Sequence, residues 1–235
     1  MIPLLITSSI IASAPKTMLS DSSERLLETI KALGQWIEMG VTDKIIVCDG
    51  SNFDLAPHIA NVIPAYEKIE LIRFQNDLNM ISRKGKGWGE GEIIKFALKE
   101  SEVLRSATQF MKCTAKLWVT NAEKCARNFN GEAAFDYEGR FSPHKIDTRF
   151  YIVSKRFYIQ NLLEAHESVS DLDGFYLEHA FCEALAEISP ARYVMTPTPR
   201  VMGVSGSMGI SYKNSRLKSA FRNIRSQLFK VISPN

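Results

Sequence analysis

Apolar and polar positions along the 235-residue chain follow two rhythms in turn. Residues 3–11, PLLITSSII, form a nearly continuous apolar run rich in β-branched side chains, the pattern of a strand buried on both faces. The later stretch SSERLLETIKALGQWIEMG puts Leu26, Leu27, Ile30, Leu33, Trp36 and Ile37 at helical spacing. Ser22 or Ser23 can cap its start and Gly40 can close its end. A second buried strand over 43–52 (DKIIVCDGSN), a short helix over 56–64 and a third strand over 68–74 (KIELIRF) follow. This βαβαβ order predicts a parallel sheet with right-handed crossovers, whose ligands lie beyond the carboxyl ends of the strands.

The pattern is less regular afterwards. KGKGWGEGE (84–92) reads as a glycine loop leading into a helix from Glu90 to about Leu104, with Ile94, Ala97, Leu98 and Leu104 on one face. Residues 109–121, QFMKCTAKLWVTN, read as an interrupted fourth strand, and 147–163 as a strand that passes into a helix. A turn and helix over 171–188 offer Phe175, Leu177, Phe181, Leu185 and Ile188 for burial. Residues 196–209, TPTPRVMGVSGSMG, look flexible and lead into the C-terminal tail.

A composition of 45% hydrophobic and 23% charged residues fits one folded α/β unit. No run approaches the ~18 apolar residues of a membrane span, and the first fifteen residues lack the basic start of a signal peptide. Four scattered cysteines without a CxxC pair argue against a zinc ribbon or a disulfide framework, and so for a reducing cytoplasm. The net charge of +3 conceals an asymmetry: eight of the 29 basic residues and none of the 26 acidic ones lie after Glu187. In that tail Leu217, Phe221, Ile224, Leu228 and Val231 make one helical stripe, with Lys218, Arg222 and Arg225 off it. Such a helix suits an anionic membrane surface, or simply docks on its own core. No nucleic-acid module accompanies it, so no nucleic-acid partner is expected.

The glycine segment matches neither a Walker A loop, because its lysines precede the glycines and no Ser or Thr follows, nor a dinucleotide fingerprint, because it follows the third strand. What it offers is physical. Gly85, Gly87 and Gly89 would let backbone approach a ligand, Lys84 and Lys86 bring positive charge, and a helix start behind them favours anions. Glu90 and Glu92 suit the first turn of that helix, or face a sugar hydroxyl. A solvated connector is the bland alternative.

This order of parts resembles the GT-A glycosyltransferases, nucleotide-sugar enzymes with one Rossmann-like sheet, and especially those that build bacterial capsule and lipopolysaccharide. The resemblance implies that Thr7, Ser8 and Ser9 at the end of the first strand hold the nucleotide. Asp49, Gly50 and Ser51 would touch base or ribose, and the glycine segment, with Lys84, Lys86, Gly87, Gly89 and Glu90, would lie near the donor. The fourth strand departs from the family: where most members carry a metal-holding Asp-x-Asp, this chain has Lys112 and Lys116 and no acid. Magnesium or manganese dependence is therefore open. Fixed cations can stabilise a departing diphosphate as a metal would, while exposed lysines on an edge strand are the structural alternative.

Inverting transfer needs a carboxylate to take the acceptor's proton. In this resemblance that base opens a late helix, the place of Glu178 in GFYLEHAF, with His179 as runner-up or phosphate partner. Both could equally lie on a wet helix face. Asp171 and Asp173 have Asp-x-Asp spacing but also make an ordinary turn and cap. Asp147 and Arg149 share one face of a strand start, either as donor or acceptor contacts or as a structural salt bridge.

The expectation is an α/β chain: one GT-A-like (Rossmann-like) domain over 1–210 with a mostly parallel central sheet flanked by helices, then a basic amphipathic helix over 211–235. It would act as a glycosyltransferase on a nucleotide-sugar donor and a glycan or lipid-linked acceptor in capsule, lipopolysaccharide or O-antigen assembly. Transfer would be inverting, with dependence on magnesium or manganese left open, and the protein cytoplasmic, resting on the inner face of the membrane. The alternative is a non-catalytic protein of the same fold that binds a membrane or partner through its tail.

Overall fold

The computed structural model describes residues 1–14, 17–139, 142–206, 209–212 and 222–223. Its elements run β1 (Leu4–Ser8), α1 (Ser22–Met39), β2 (Ile45–Asp49), α2 (Ala56–Ile59), β3 (Ile69–Arg73), α3 (Leu78–Lys84), α4 (Lys86–Glu100) and α5 (Glu102–Ser106). Then come β4 (Gln109–Thr114), β5 (Leu117–Val119), α6 (Ala122–Arg127), β6 (Ala133–Glu138), β7 (Lys145–Ser154), α7 (Lys155–Asn161), α8 (Leu177–Ala184), β8 (Val201–Val204) and β9 (Ser211–Tyr212).

Six strands form the central sheet in the order β3-β2-β1-β4-β7-β6. The first four are parallel, as the βαβαβ reading expects, and β7 and β6 add on antiparallel. Alternation along the strands splits the core into two layers. Leu5, Ile46, Cys48 and Phe110 face α4, α7 and α8, while Leu4, Ile6, Val47 and Met111 face Leu33 and Trp36 of α1. Trp36 Nε1 also donates to the Leu117 carbonyl at 3.0 Å, tying α1 to the small antiparallel sheet β5-β8-β9. Chain order reverses around β1, between β2 and β4, and this is where an open parallel sheet leaves a crevice at its carboxyl edge.

Four readings change. Asp21, rather than Ser22 or Ser23, caps α1 by accepting from Glu24 N at 2.8 Å, while Gly40 closes the helix in the left-handed region as expected. The buried face of α1 is Arg25, Thr29, Ala32, Leu33 and Trp36, so it carries a charged residue, and Leu27 is 64% exposed. The glycine segment is no loop: α4 begins at Lys86, and only Gly85, with φ 104°, breaks the path from α3. Gly87, Gly89 and Gly91 sit inside the helix because neighbours press on it. A Cβ on Gly91 would collide with His166, one on Gly87 would stand 3.2 Å from Leu177 and Val169, and one on Gly89 3.2 Å from Asn76 and Ile81. The stretch 196–209 contains β8, which pairs with β5. The fourth strand breaks at Ala115 and Lys116, Lys116 taking φ 70°, so that β4 stays in the main sheet and β5 joins the small one.

The apolar stripe of the tail lies outside the described residues. Within the tail, the Arg222 guanidinium pairs with the carboxylate of Asp136, a residue 1% exposed, and Asn223 Oδ1 accepts from Thr198 N and Oγ1 at 2.6 and 2.8 Å. β9 pairs with β8, so the expected boundary at 210 falls within the small sheet. Among the described residues no helix is long and apolar enough to cross a membrane.

Candidate active site

A cleft of about 500 Å³ opens at the carboxyl ends of β1 and β4. Thr7, Ser8 and Ser9 form one wall, the start of α4 and of α8 the opposite one, and the chain at 204–206 with Tyr212 the rim. Ten of the expected site residues line it: Thr7, Ser8, Ser9, Lys86, Gly87, Gly89, Glu90, Lys116, Arg149 and Glu178.

Glu90 anchors the floor. Its Oε1 accepts from Thr7 Oγ1 of β1 and Thr114 Oγ1 of β4, both at 3.1 Å, and from the Lys112 amine. Burial opposes ionisation here, but the Lys112 charge and the three donors outweigh it and hold the carboxyl below the usual range. Lys112 in turn is 0% exposed and directs its other protons to Thr114 Oγ1 at 2.9 Å and the Thr148 carbonyl at 2.7 Å. With its three N–H donors committed, it has none left for a ligand, so it supports Glu90 rather than holding the sugar nucleotide.

Glu178 projects from the first turn of α8 into the cleft, with Thr148 Oγ1 at 3.5 Å. Burial pushes its pKa up, aided by the negative charges of Glu90 and Asp147. Asp171, in the turn Asp171–Asp173, also lines the cleft and is raised by burial; its Oδ1 is buried without a partner among the described residues. Asp173 turns away and accepts from Ser170 Oγ at 2.5 Å, so the two acids do not converge. Arg149 is gripped by Asp147, with Nε at 2.9 and 3.1 Å from the two oxygens, and lies 4.7 Å from the Tyr212 ring centre.

The remaining expected residues have other partners. His179 caps α8, its Nδ1 accepting from Tyr176 N at 3.0 Å, and stacks between Phe175 and Tyr176; it does not line the cleft. Lys84 points to the carbonyl and carboxylate of Glu167, outside the cleft. Asp49 accepts from Ile10 N, Ser51 N, Ser51 Oγ and Phe53 N, which knots the loop after β2, and a Cβ on Gly50 would stand 2.5 Å from Ile93. These contacts make both residues scaffolding beneath the cleft wall.

Sequence reasoning missed Arg25 in the cleft, along with Glu138 and Lys145. Arg25 donates to the Ser9 carbonyl from Nε at 2.8 Å and Nη2 at 2.5 Å, and to the Leu19 carbonyl from Nη1 at 2.8 Å, fastening the loop after β1. Burial lowers its pKa, partly opposed by Asp49. Lys116, 3% exposed, is pushed down to about 7 by burial and by Arg25, against Asp49 and Glu90.

The metal that the resemblance would imply does not fit these side chains. Among the described residues one group offers three close ligand atoms, Glu92, His166 and Glu167, and none of its members lines the cleft. It is an internal network: His166 Nε2 is 2.7 Å from Glu92, and Glu167 accepts from Trp88 Nε1 at 3.2 Å and from Lys84. At the end of β4, where the family places its acids, stands Lys116.

No protein-family model matches the chain, and no curated protein sequence matches it. Solved structures do match. The WbbM bifunctional glycosyltransferase aligns with a TM-score of 0.53 over 97% of this chain and 44% of its own, at 8% identity. A glycosyltransferase involved in glycosylation of the major capsid of PBCV-1 aligns at 0.47 over 84% and 83%, at 11% identity. HddC from Yersinia pseudotuberculosis aligns at 0.39 over 66% and 78%, at 17% identity. At these identities the likeness is one of fold: the chain has a GT-A-like, Rossmann-like fold.

Proposed function

We propose that the protein is a glycosyltransferase that moves a sugar from a nucleotide-sugar donor to a hydroxyl of a growing surface glycan, with inversion and without a divalent metal. One observation carries the reading: a half-buried carboxylate of raised pKa, Glu178, shares the cleft at the β1/β4 switch point with Lys86, Lys116 and Arg149. In the reaction, the acceptor oxygen bonds to the anomeric carbon as the bond from that carbon to the phosphate oxygen breaks. The bonding pair leaves with the nucleoside diphosphate, and the acceptor proton passes to Glu178. The cations stabilise the charge gathering on the leaving diphosphate.

Lys116 just after β4, where the resemblance would place a metal-holding acid, and a Glu90 already paired with Lys112 support metal independence. The acceptor would be a glycan, free or lipid-linked, and the basic tail would rest on an anionic membrane. The test is incubation with a panel of sugar nucleotides and glycan acceptors in EDTA. A transferase releases nucleoside diphosphate and extends the acceptor with inverted configuration. Turnover only with added metal would overturn the metal-free step. Formation of a sugar nucleotide from a nucleoside triphosphate and a sugar phosphate, with no transfer to glycan, would overturn the reading as a whole.

A further inference from the structure

We infer that Arg25 and Lys116 together form a site for a diphosphate, and that the Lys116 amine takes up a proton as that anion enters. The assignment of the anion to a nucleotide-sugar donor rests on the transferase reading; the site itself rests on charge and burial. The two side chains, one from α1 and one from the turn between β4 and β5, meet at Gly206. A Cβ built there would stand 3.4 Å from Arg25 Nη1 and 3.6 Å from Lys116 Nζ. Both residues line the cleft, at 7% and 3% exposure.

Among the described residues neither cation is in a salt bridge. Arg25 uses its N–H groups on the carbonyls of Ser9 and Leu19, which neutralise no charge. Among the described residues no carboxylate comes within ion-pair distance of Arg25 or Lys116, and the Lys116 amine makes no hydrogen bond. Ser8 Oγ, beside them on the cleft wall, is likewise buried without a partner. Two like charges buried together are costly unless something anionic joins them. The backbone adds to this cost: Lys116 holds φ 70°, a region that lysine seldom enters, fixed by Val204 N donating to its carbonyl at 3.1 Å.

The charged groups facing Lys116 are Arg25 from α1, Asp49 from the end of β2 and Glu90 from α4. Thr7, Ser8 and Ser9 of the adjoining wall and residues 204–206 of the rim bring no titratable side chain. Burial and Arg25 outweigh the two acids, so in the empty cleft near neutral pH a large share of the amine is uncharged. A diphosphate reverses that balance. The resulting ammonium then faces the oxygens that gain charge when the sugar leaves.

Calorimetric titration of the full chain with UDP and with ADP, in EDTA at pH 8, tests this. Two buffers of different ionisation enthalpy report the protons exchanged, and at that pH the phosphate oxygens are already ionised. The expected uptake is ~0.9 proton per bound nucleotide, from a lysine titrating at about 7. Lys116→Gln and Arg25→Gln should each weaken binding at least tenfold. Lys116→Arg should bind and take up no proton, because arginine stays charged. Failure of both nucleotides to bind, wild-type binding without proton uptake, or uptake unchanged in Lys116→Arg each overturns the inference. The wild-type buffer comparison needs no variant, so a misfolded mutant does not remove the test. Diphosphate binding with proton uptake but no sugar transfer would leave the site standing and sink the transferase reading. Transfer that requires a metal would do the reverse.

Discussion

Glu90 and Lys112 form an ion pair at the floor of the cleft, closed by hydroxyls from β1 and β4 and a carbonyl from β7. The pair thus joins α4 to three neighbouring strands of the sheet, directly beneath the switch point. It turns a sheet edge into a floor of fixed geometry.

Removing one member of such a pair strands the other. Lys112→Met should cost ~3–5 kcal/mol in urea denaturation, whereas Lys112→Met with Glu90→Gln should recover much of the loss. The pH sign follows from the depressed Glu90 pKa. Its contribution is present above the ordinary carboxyl value of 4.5 and is lost as pH falls through the lower folded value. In Lys112→Met this acid-side loss should vanish. A single-mutant cost under ~1 kcal/mol would refute the structural role.

Glu178 is the opposite case, with a folded pKa raised by burial. As a base it works only when ionised, so turnover should rise with pH through a value above the usual carboxyl range. Glu178→Gln should lower turnover ~10²–10⁴-fold while leaving donor affinity unchanged. Because folding favours its protonated form, stability declines as pH rises from the unfolded to the folded pKa, and above both the charge is a net cost. The same variant should therefore melt higher than wild type at pH 8. A Gln variant that is fully active would eliminate Glu178 as the base.

What the sequence made legible was set by how local its causes are. β1, α1, β2 and β3 follow from apolar periodicity and from caps within a few residues, and the parallel order follows from them. The glycine helix did not, because the groups that require small residues, His166 and Leu177, lie some 70 to 90 positions away. A glycine-rich stretch without its packing partner reads as a loop. Arg25 was hidden for a related reason. A charge on an amphipathic helix belongs on the wet face unless other parts of the chain cover it, and here the carbonyls of Ser9 and Leu19 take its N–H groups. β6 was hidden because its sequence AAFDYE sets Asp136 inside a buried strand, where its partner Arg222 is far away along the chain.

The glycines of α4 also yield a paired prediction. Gly91→Ala should destabilise by ~1–3 kcal/mol, since its Cβ meets the buried His166 ring. Gly34→Ala, in the interior of α1 with nothing within 4 Å of the added carbon, should stabilise by ~0.5–1 kcal/mol. Thermal melts of the two variants would check both signs. Equal effects would contradict close packing as the reason for glycine in α4.

The tail offers the last test, because part of its positive charge is already committed. Arg222 pairs with the buried Asp136 at the bulge of β6, and Asn223 holds the chain at Thr198. Arg222→Met should leave a carboxylate at 1% exposure without its partner and lower stability by ~3 kcal/mol. Deleting 213–235 would do the same, so loss of membrane binding in that truncation would not separate lipid contact from a weakened fold. Lys218→Glu with Arg225→Glu keeps Arg222 and reverses charge elsewhere in the tail. If the tail meets lipid, this double variant should melt like wild type and sediment less with phosphatidylserine vesicles at low salt, each lost cation being worth ~1 kcal/mol at such a surface. Undiminished sedimentation would reject the membrane contact and leave the tail as a strap on the core.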